Sequence, residues 1–229
     1  MRRAYVEAEI PPHQATMTAL EWAGSNATIH VPDTGSVDVN TWIERLGVPI
    51  SCSSSKSRFY GVPRGTVIGF MLSPPEVFKV EQARGIDGLV VVGAYRRRTA
   101  TASTAMSHSP WITAFGVEWL GGEPIAPIPA ASAPLRAAVA GLSRPAVGNQ
   151  GLSDKRERHA AVQALTHLRV HGVALDPDAL MVEALRRGWG GDGPAGLRAV
   201  AVDLNHGKAL QFTDRVTPQG LNDWLNATD

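Results

Sequence analysis

Two nearly continuous apolar runs flank an amphipathic stretch across residues 66–95, which read TVIGFML, SPPEVFKVEQARG and IDGLVVVGAY. The pattern predicts a strand, a helix and a second strand. Ser73 suits the helix N-cap, Pro74 the first helical position and Glu76 the closing partner of a capping box. Gly85 suits the left-handed residue that ends the helix. Strands joined in this way lie parallel with a right-handed crossover. Strands apolar along their whole length are buried on both faces, so residues 66–72 and 89–94 read as neighbouring central strands. Ligand sites in such sheets lie beyond the carboxyl ends of the strands. The unit therefore indicates where a site would sit, not what it does.

The same alternation continues upstream. Residues 4–10 and 27–31 read as strands, with a short helix over 16–23 closed by Gly24. PDTGS reads as a turn, residues 38–46 as one amphipathic helix ended by Gly47, and residues 48–51 as a short strand. CSSSKSRFYGVPRG is a polar loop. Downstream, the segment WITAFGVEWL puts Trp111 and Trp119 on one face if it is helical. EPIAPIPAASAP holds four prolines in twelve residues and cannot be a helix or a central strand. It reads as an extended connector leading to a short helix over 134–140. Beyond it, caps at Ser153, Asp176 and Thr217 and stops at Gly172, Gly188 and Gly207 predict a run of helices. The fold class that follows is α/β: a mostly parallel sheet with flanking helices, then a mainly α-helical C-terminal region. The divisions are an α/β domain over 1–122, a Pro/Ala-rich connector over 123–150 and a helical region over 151–229.

A chain of 229 residues can bury a sizeable core without disulfides or metals. Its net charge of +1 argues against a general polyanion binder, although a local patch can hide in a neutral total. The single cysteine, Cys52, excludes an internal disulfide and suits a reducing, cytoplasmic setting. No apolar run approaches a membrane span, and MRRAYVEAEI lacks the apolar centre of a signal peptide. The alanine-, arginine- and glycine-rich usage suggests a high-GC bacterial origin.

No motif names a reaction. PDTGS follows a strand but lacks the G-x-x-x-x-G-K-[ST] pattern, and the turn at Ser73 has prolines where a dinucleotide fingerprint needs glycines. The main candidate is a basic rim. Lys56, Arg58 and Arg64 share a loop with no acid between Ser51 and Gly65, and Arg96, Arg97 and Arg98 follow a strand directly. With Ser73 and the surrounding hydroxyls they would suit an anionic ligand, a nucleotide or nucleic acid, and Phe59 and Tyr60 would stack on a base. The competing reading is two solvated loops whose arginines pair with surface acids.

Three weaker candidates remain. Ser51, Cys52, Ser53, Ser73 and Ser107 lie near strand ends, with His108 or Glu118 as an acid or base, but no G-x-S-x-G elbow is present. His167 and His171 share a helix face with His159 two turns earlier, but a metal needs more ligands than that, and Asp176 is better explained as an N-cap. Trp189, flanked by glycines, would anchor the helical region to the α/β part or to a partner.

The sequence thus leads to a binding protein for a nucleotide, nucleic acid or other phosphorylated ligand. Two alternatives stay open. One is an enzyme acting on a phosphorylated or nucleotide-like small molecule. The other is a protein-interaction module, including a homo-oligomer through the helical region. Cofactor and reaction are not legible.

Overall fold

The computed structural model describes residues 1–7, 9–92, 107–148, 152 and 154–229, which form two compact units, Met1–Ala126 and Pro127–Asp229.

The first unit is built on six parallel strands: β1 (Arg2–Val6), β2 (Ala27–Val31), β3 (Ile50–Cys52), β4 (Gly65–Phe70), β5 (Ile86–Val92) and β6 (Glu118–Gly121). Their order across the sheet is β3-β2-β4-β5-β1-β6. The two segments predicted as neighbours pair in parallel as β4 and β5, with Val67 opposite Leu89 and Phe70 opposite Val92. Every residue of β4 is buried, as its unbroken apolar run requires.

The helices cover both faces for a topological reason. The path from β1 to β2 to β3 runs toward one edge, through α1 (Pro12–Ala23), α2 (Thr34–Val39) and α3 (Trp42–Arg45). The step from β4 to β5 runs the other way, through α4 (Pro74–Glu81). Right-handed connections running in opposite directions place their helices on opposite faces. One face packs Ile29, Val31, Ile68, Phe70, Val90 and Val92 against Ala15 and Ala19 of α1, Val37 of α2 and Ile43 of α3. Strand alternation sends Thr28, His30, Val67, Gly69, Leu89 and Val91 to the other face.

Three local expectations need correction. PDTGS is not a free turn: Asp33 caps α2, its carboxylate accepting from the Ser36 amide at 2.8 Å. The single helix expected over 38–46 is two short ones, because Asn40, at φ −111° and ψ 61°, interrupts it. WITAFGVEWL is not one helix either. Trp111 is buried in α5 (Ser109–Phe115), Gly116 turns left-handed at φ 58°, and Trp119 lies in the edge strand β6. A φ of that sign favours glycine, so Gly116 ends the helix and frees the chain to pair with β1.

The second unit is a helical bundle of α6 (Ala133–Gly148), α7 (Lys155–Val170), α8 (Pro177–Arg186), α9 (Gly193–Asn205) and α10 (Pro218–Leu225). Ala161, Leu165 and Leu168 share one face of α7 and enter this unit's own core, with Leu135, Val139, Leu180 and Leu197. Asp176 caps α8 through the Asp178 and Ala179 amides, and Thr217 caps α10 through the Gly220 amide. Ser153 lies outside the described residues, and Asp154 is the N-cap of α7, accepting from the Arg156 amide. Trp189 is not an external anchor. It is 2% exposed, and its indole N–H donates to Ser143 Oγ at 2.9 Å. Among the described residues no helix is long and apolar enough to cross a membrane.

Candidate functional site

The strand order reverses between β2 and β4. The chain leaves β2 through α2 on one face and leaves β4 through α4 on the other. The crevice between their carboxyl ends is the place where α/β sheets bind ligands.

His30 sits there, one residue from the end of β2. It is the register partner of Ser51 on β3 and of Gly69 on β4. At Gly69 the Leu72 and Leu89 side chains fill the space a side chain would take, and the His30 imidazole is buried. Its Nδ1 lies 2.9 Å from Ser51 Oγ, and its Nε2 lies 2.9 Å from Ser53 Oγ. Burial holds His30 below the ordinary histidine range, and the Glu76 carboxylate opposes this more weakly. The ring is therefore neutral at pH 7, with one nitrogen donating and the other accepting. Hydroxyls can serve either nitrogen, so two serines are a complete shell for a neutral imidazole.

The loop after β3 extends this polar edge. Thr34 Oγ1 donates to Ser57 Oγ at 2.7 Å, and Ser57 Oγ accepts from the Phe59 amide. On the β4 side, the Glu76 carboxylate reaches back to the Ser73 amide and hydroxyl, both at 2.7 Å. Asp33 and Glu76 thus occupy the amino-terminal ends of α2 and α4, so neither helix end is free to hold an anion. Met71, between β4 and Ser73, has φ 52°, the only non-glycine residue with positive φ among those described. An unbranched side chain in that region stores on the order of 1–2 kcal/mol of strain, and such strain clusters at functional sites.

The predicted rim is divided by the structure. Lys56 is exposed on the loop after β3 and makes no ion pair among the described residues. Arg58 is committed to Asp38 at 3.1 Å and Glu44 at 3.2 Å, and it lies over the Phe59 ring. Arg64 directly precedes β4, and its carbonyl accepts from Thr28 Oγ1. It therefore stands at the amino-terminal edge of the sheet, opposite the edge it was expected to share with Lys56. Arg96, Arg97 and Arg98 lie outside the described residues. Ser73 lies at the carboxyl edge.

The expected acid–base partners are spoken for. His108 is buried, and its Nε2 donates to the Leu72 carbonyl at 3.0 Å. Burial pushes its pKa down to about 4, the carbonyl contact opposing this more weakly. The Glu118 carboxylate accepts the Trp22 indole N–H at 2.8 Å. Cys52 is fully buried, its thiol facing the Pro32 carbonyl.

In the helical unit the His167 and His171 rings lie 4.2 Å apart, but His171 Nδ1 donates to the His167 carbonyl. His159 Nδ1 accepts from the Thr213 amide. Among the described residues no three histidine, cysteine or carboxylate side chains are grouped to hold a metal.

Sequence reasoning missed His30. The one available signal was a histidine within the mostly apolar strand ATIHV. Its pairing with Ser51 depends on β3 lying alongside β2, which no local pattern encodes.

Residues 135–224, inside the helical unit, match the model of a family described as a domain of unknown function, DUF1889. No curated protein and no solved structure matches the chain.

Proposed function

We propose that the α/β unit binds a small phosphorylated, nucleotide-like ligand in the crevice between the carboxyl ends of β2 and β4. The observation that carries this reading is His30, held between Ser51 and Ser53 where the strand order reverses. The Ser57 hydroxyl, which accepts from Thr34 and the Phe59 amide, keeps its own proton to donate toward a phosphate oxygen, and Lys56, on the same loop, is a cation without an ion pair among the described residues. The contact set differs from an arginine-based rim, because Arg58 is already neutralised by Asp38 and Glu44.

The test is a thermal-shift panel of nucleotides and sugar phosphates on the full chain, with a single-stranded oligonucleotide at low and high salt. The expected result is a raised melting temperature with a small phosphorylated compound, reduced in Lys56→Ala. Stabilisation by the oligonucleotide alone, falling steeply with salt, would favour nucleic acid instead. No shift with any compound, together with a dimer in light scattering, would favour the interaction module.

A further inference from the structure

We infer that Ser53 is a nucleophile activated by His30, with a carboxylic ester as the substrate class. The inference goes beyond the binding reading: it uses the same crevice but does not depend on the ligand proposed there.

A serine becomes nucleophilic when a base lies within hydrogen-bond reach and a third group orients the base. All three are present. Ser53 Oγ is 2.9 Å from His30 Nε2, and His30 Nδ1 is 2.9 Å from Ser51 Oγ. The two serines are not equivalent. Ser51 is buried, while Ser53 is exposed. The group open to a substrate is therefore on one nitrogen, and the group that fixes the ring is on the other. In the tautomer with hydrogen on Nδ1, that N–H donates to Ser51 Oγ, and Nε2 accepts the Ser53 O–H. A purely structural histidine at this inward strand position needs partners for its nitrogens, but not one at the solvent surface. His30 also stays neutral at pH 7, the form a general base requires.

In the step inferred, Ser53 Oγ forms a bond to the ester carbonyl carbon as its proton passes to Nε2. The C–O bond to the alcohol then breaks, and the alcohol leaves with that proton. Water, deprotonated by Nε2, attacks the acyl-serine and releases the carboxylic acid, and the proton returns to Ser53.

The experiment is labelling of the full chain with a fluorophosphonate at pH 7.5, with the adduct located by peptide mass spectrometry. The P–O bond to Ser53 forms as fluoride leaves, so the readout needs no natural substrate. The expected result is one adduct per chain on Ser53, preferred over its neighbours Ser54 and Ser55 by at least about tenfold. Ser53→Ala loses it. His30→Gln slows labelling by about 10²–10⁴-fold, the usual contribution of a general base. Ser51→Ala, whose folding is checked by circular dichroism, slows it by about tenfold or more through loss of ring orientation. An absent adduct, an even spread over Ser53, Ser54 and Ser55, or wild-type rates in the Ser51→Ala variant would overturn the inference. The mapping and Ser51→Ala decide the matter even where His30→Gln does not fold. Labelling and the thermal-shift panel are read separately, so failure of one leaves the other standing.

Discussion

His30 and Ser51 are direct register partners across the β2–β3 ladder, and their side chains meet at 2.9 Å on the inward face of the sheet. The neighbouring pairs, Ile29 with Ile50 and Val31 with Cys52, send their side chains to the opposite face. A polar pair is thus set into the sheet at the edge where its connections diverge.

The buried His108 makes stability depend on pH. Its native pKa, about 4, lies below the ordinary 6.5, so the unfolded chain takes up a proton first as pH falls. The stability it contributes is present above about pH 6.5 and is lost as pH falls through 4. A shift of this size corresponds to on the order of 3 kcal/mol. His30 is displaced in the same direction and adds the same sign. Denaturant melts at pH 7 and pH 5 should show the loss, and His108→Phe should flatten it. Equal stability of the wild type at both values would contradict the account.

Two helix glycines should respond oppositely to alanine. A Cβ on Gly141 of α6 would collide with the Trp224 ring of α10, whereas one on Gly196 of α9 would meet Leu152 at an ordinary 3.5 Å. Gly141→Ala should destabilise the helical unit by about 1–3 kcal/mol through overpacking. Gly196→Ala should stabilise it by roughly 0.5–1 kcal/mol through helix propensity. Urea unfolding of both variants checks the pair.

Trp189 and Ser143 should be coupled. Ser143 Oγ accepts the indole N–H and donates to the Val139 carbonyl at 2.6 Å. Ser143→Ala leaves the buried indole donor unpaired and should cost about 1–3 kcal/mol. Trp189→Ala should cost about 3–5 kcal/mol, and a double-mutant cycle should give a non-zero interaction energy.

Gln163 fastens the chain between α9 and α10. Its amide oxygen accepts from the Arg215 and Val216 amides at 2.8 Å, and its nitrogen donates to Asp214 and the Val216 carbonyl at 3.1 Å. Gln163→Ala should speed hydrogen exchange at Arg215 and Val216 while α8 keeps its protection.

What the sequence revealed follows how local each signal is. The β4–α4–β5 unit was legible because apolar continuity and the Ser73–Glu76 cap lie within one stretch of chain, although α4 ends at Glu81 on a right-handed Gln82, short of the Gly85 stop that was expected. Strand β6 was not, because Trp119 looks like the helical mate of Trp111 until the non-local pairing with β1 is known. Lys56 and Arg64 are close in sequence, yet the loop between them runs from the carboxyl end of β3 to the amino end of β4. Charge spacing carries no record of that reversal. His30 gained its meaning only from Ser51 and Ser53, brought alongside by sheet order.

The most direct test of the carboxyl-edge site is an amide chemical-shift titration of the full chain with the phosphorylated compound that raises its melting temperature most. The account predicts that the largest changes fall in residues 30–36, 51–57 and 71–76, around His30, Ser53 and Ser73. Changes centred instead on Arg64 at the opposite edge, or confined to the helical unit, would contradict it.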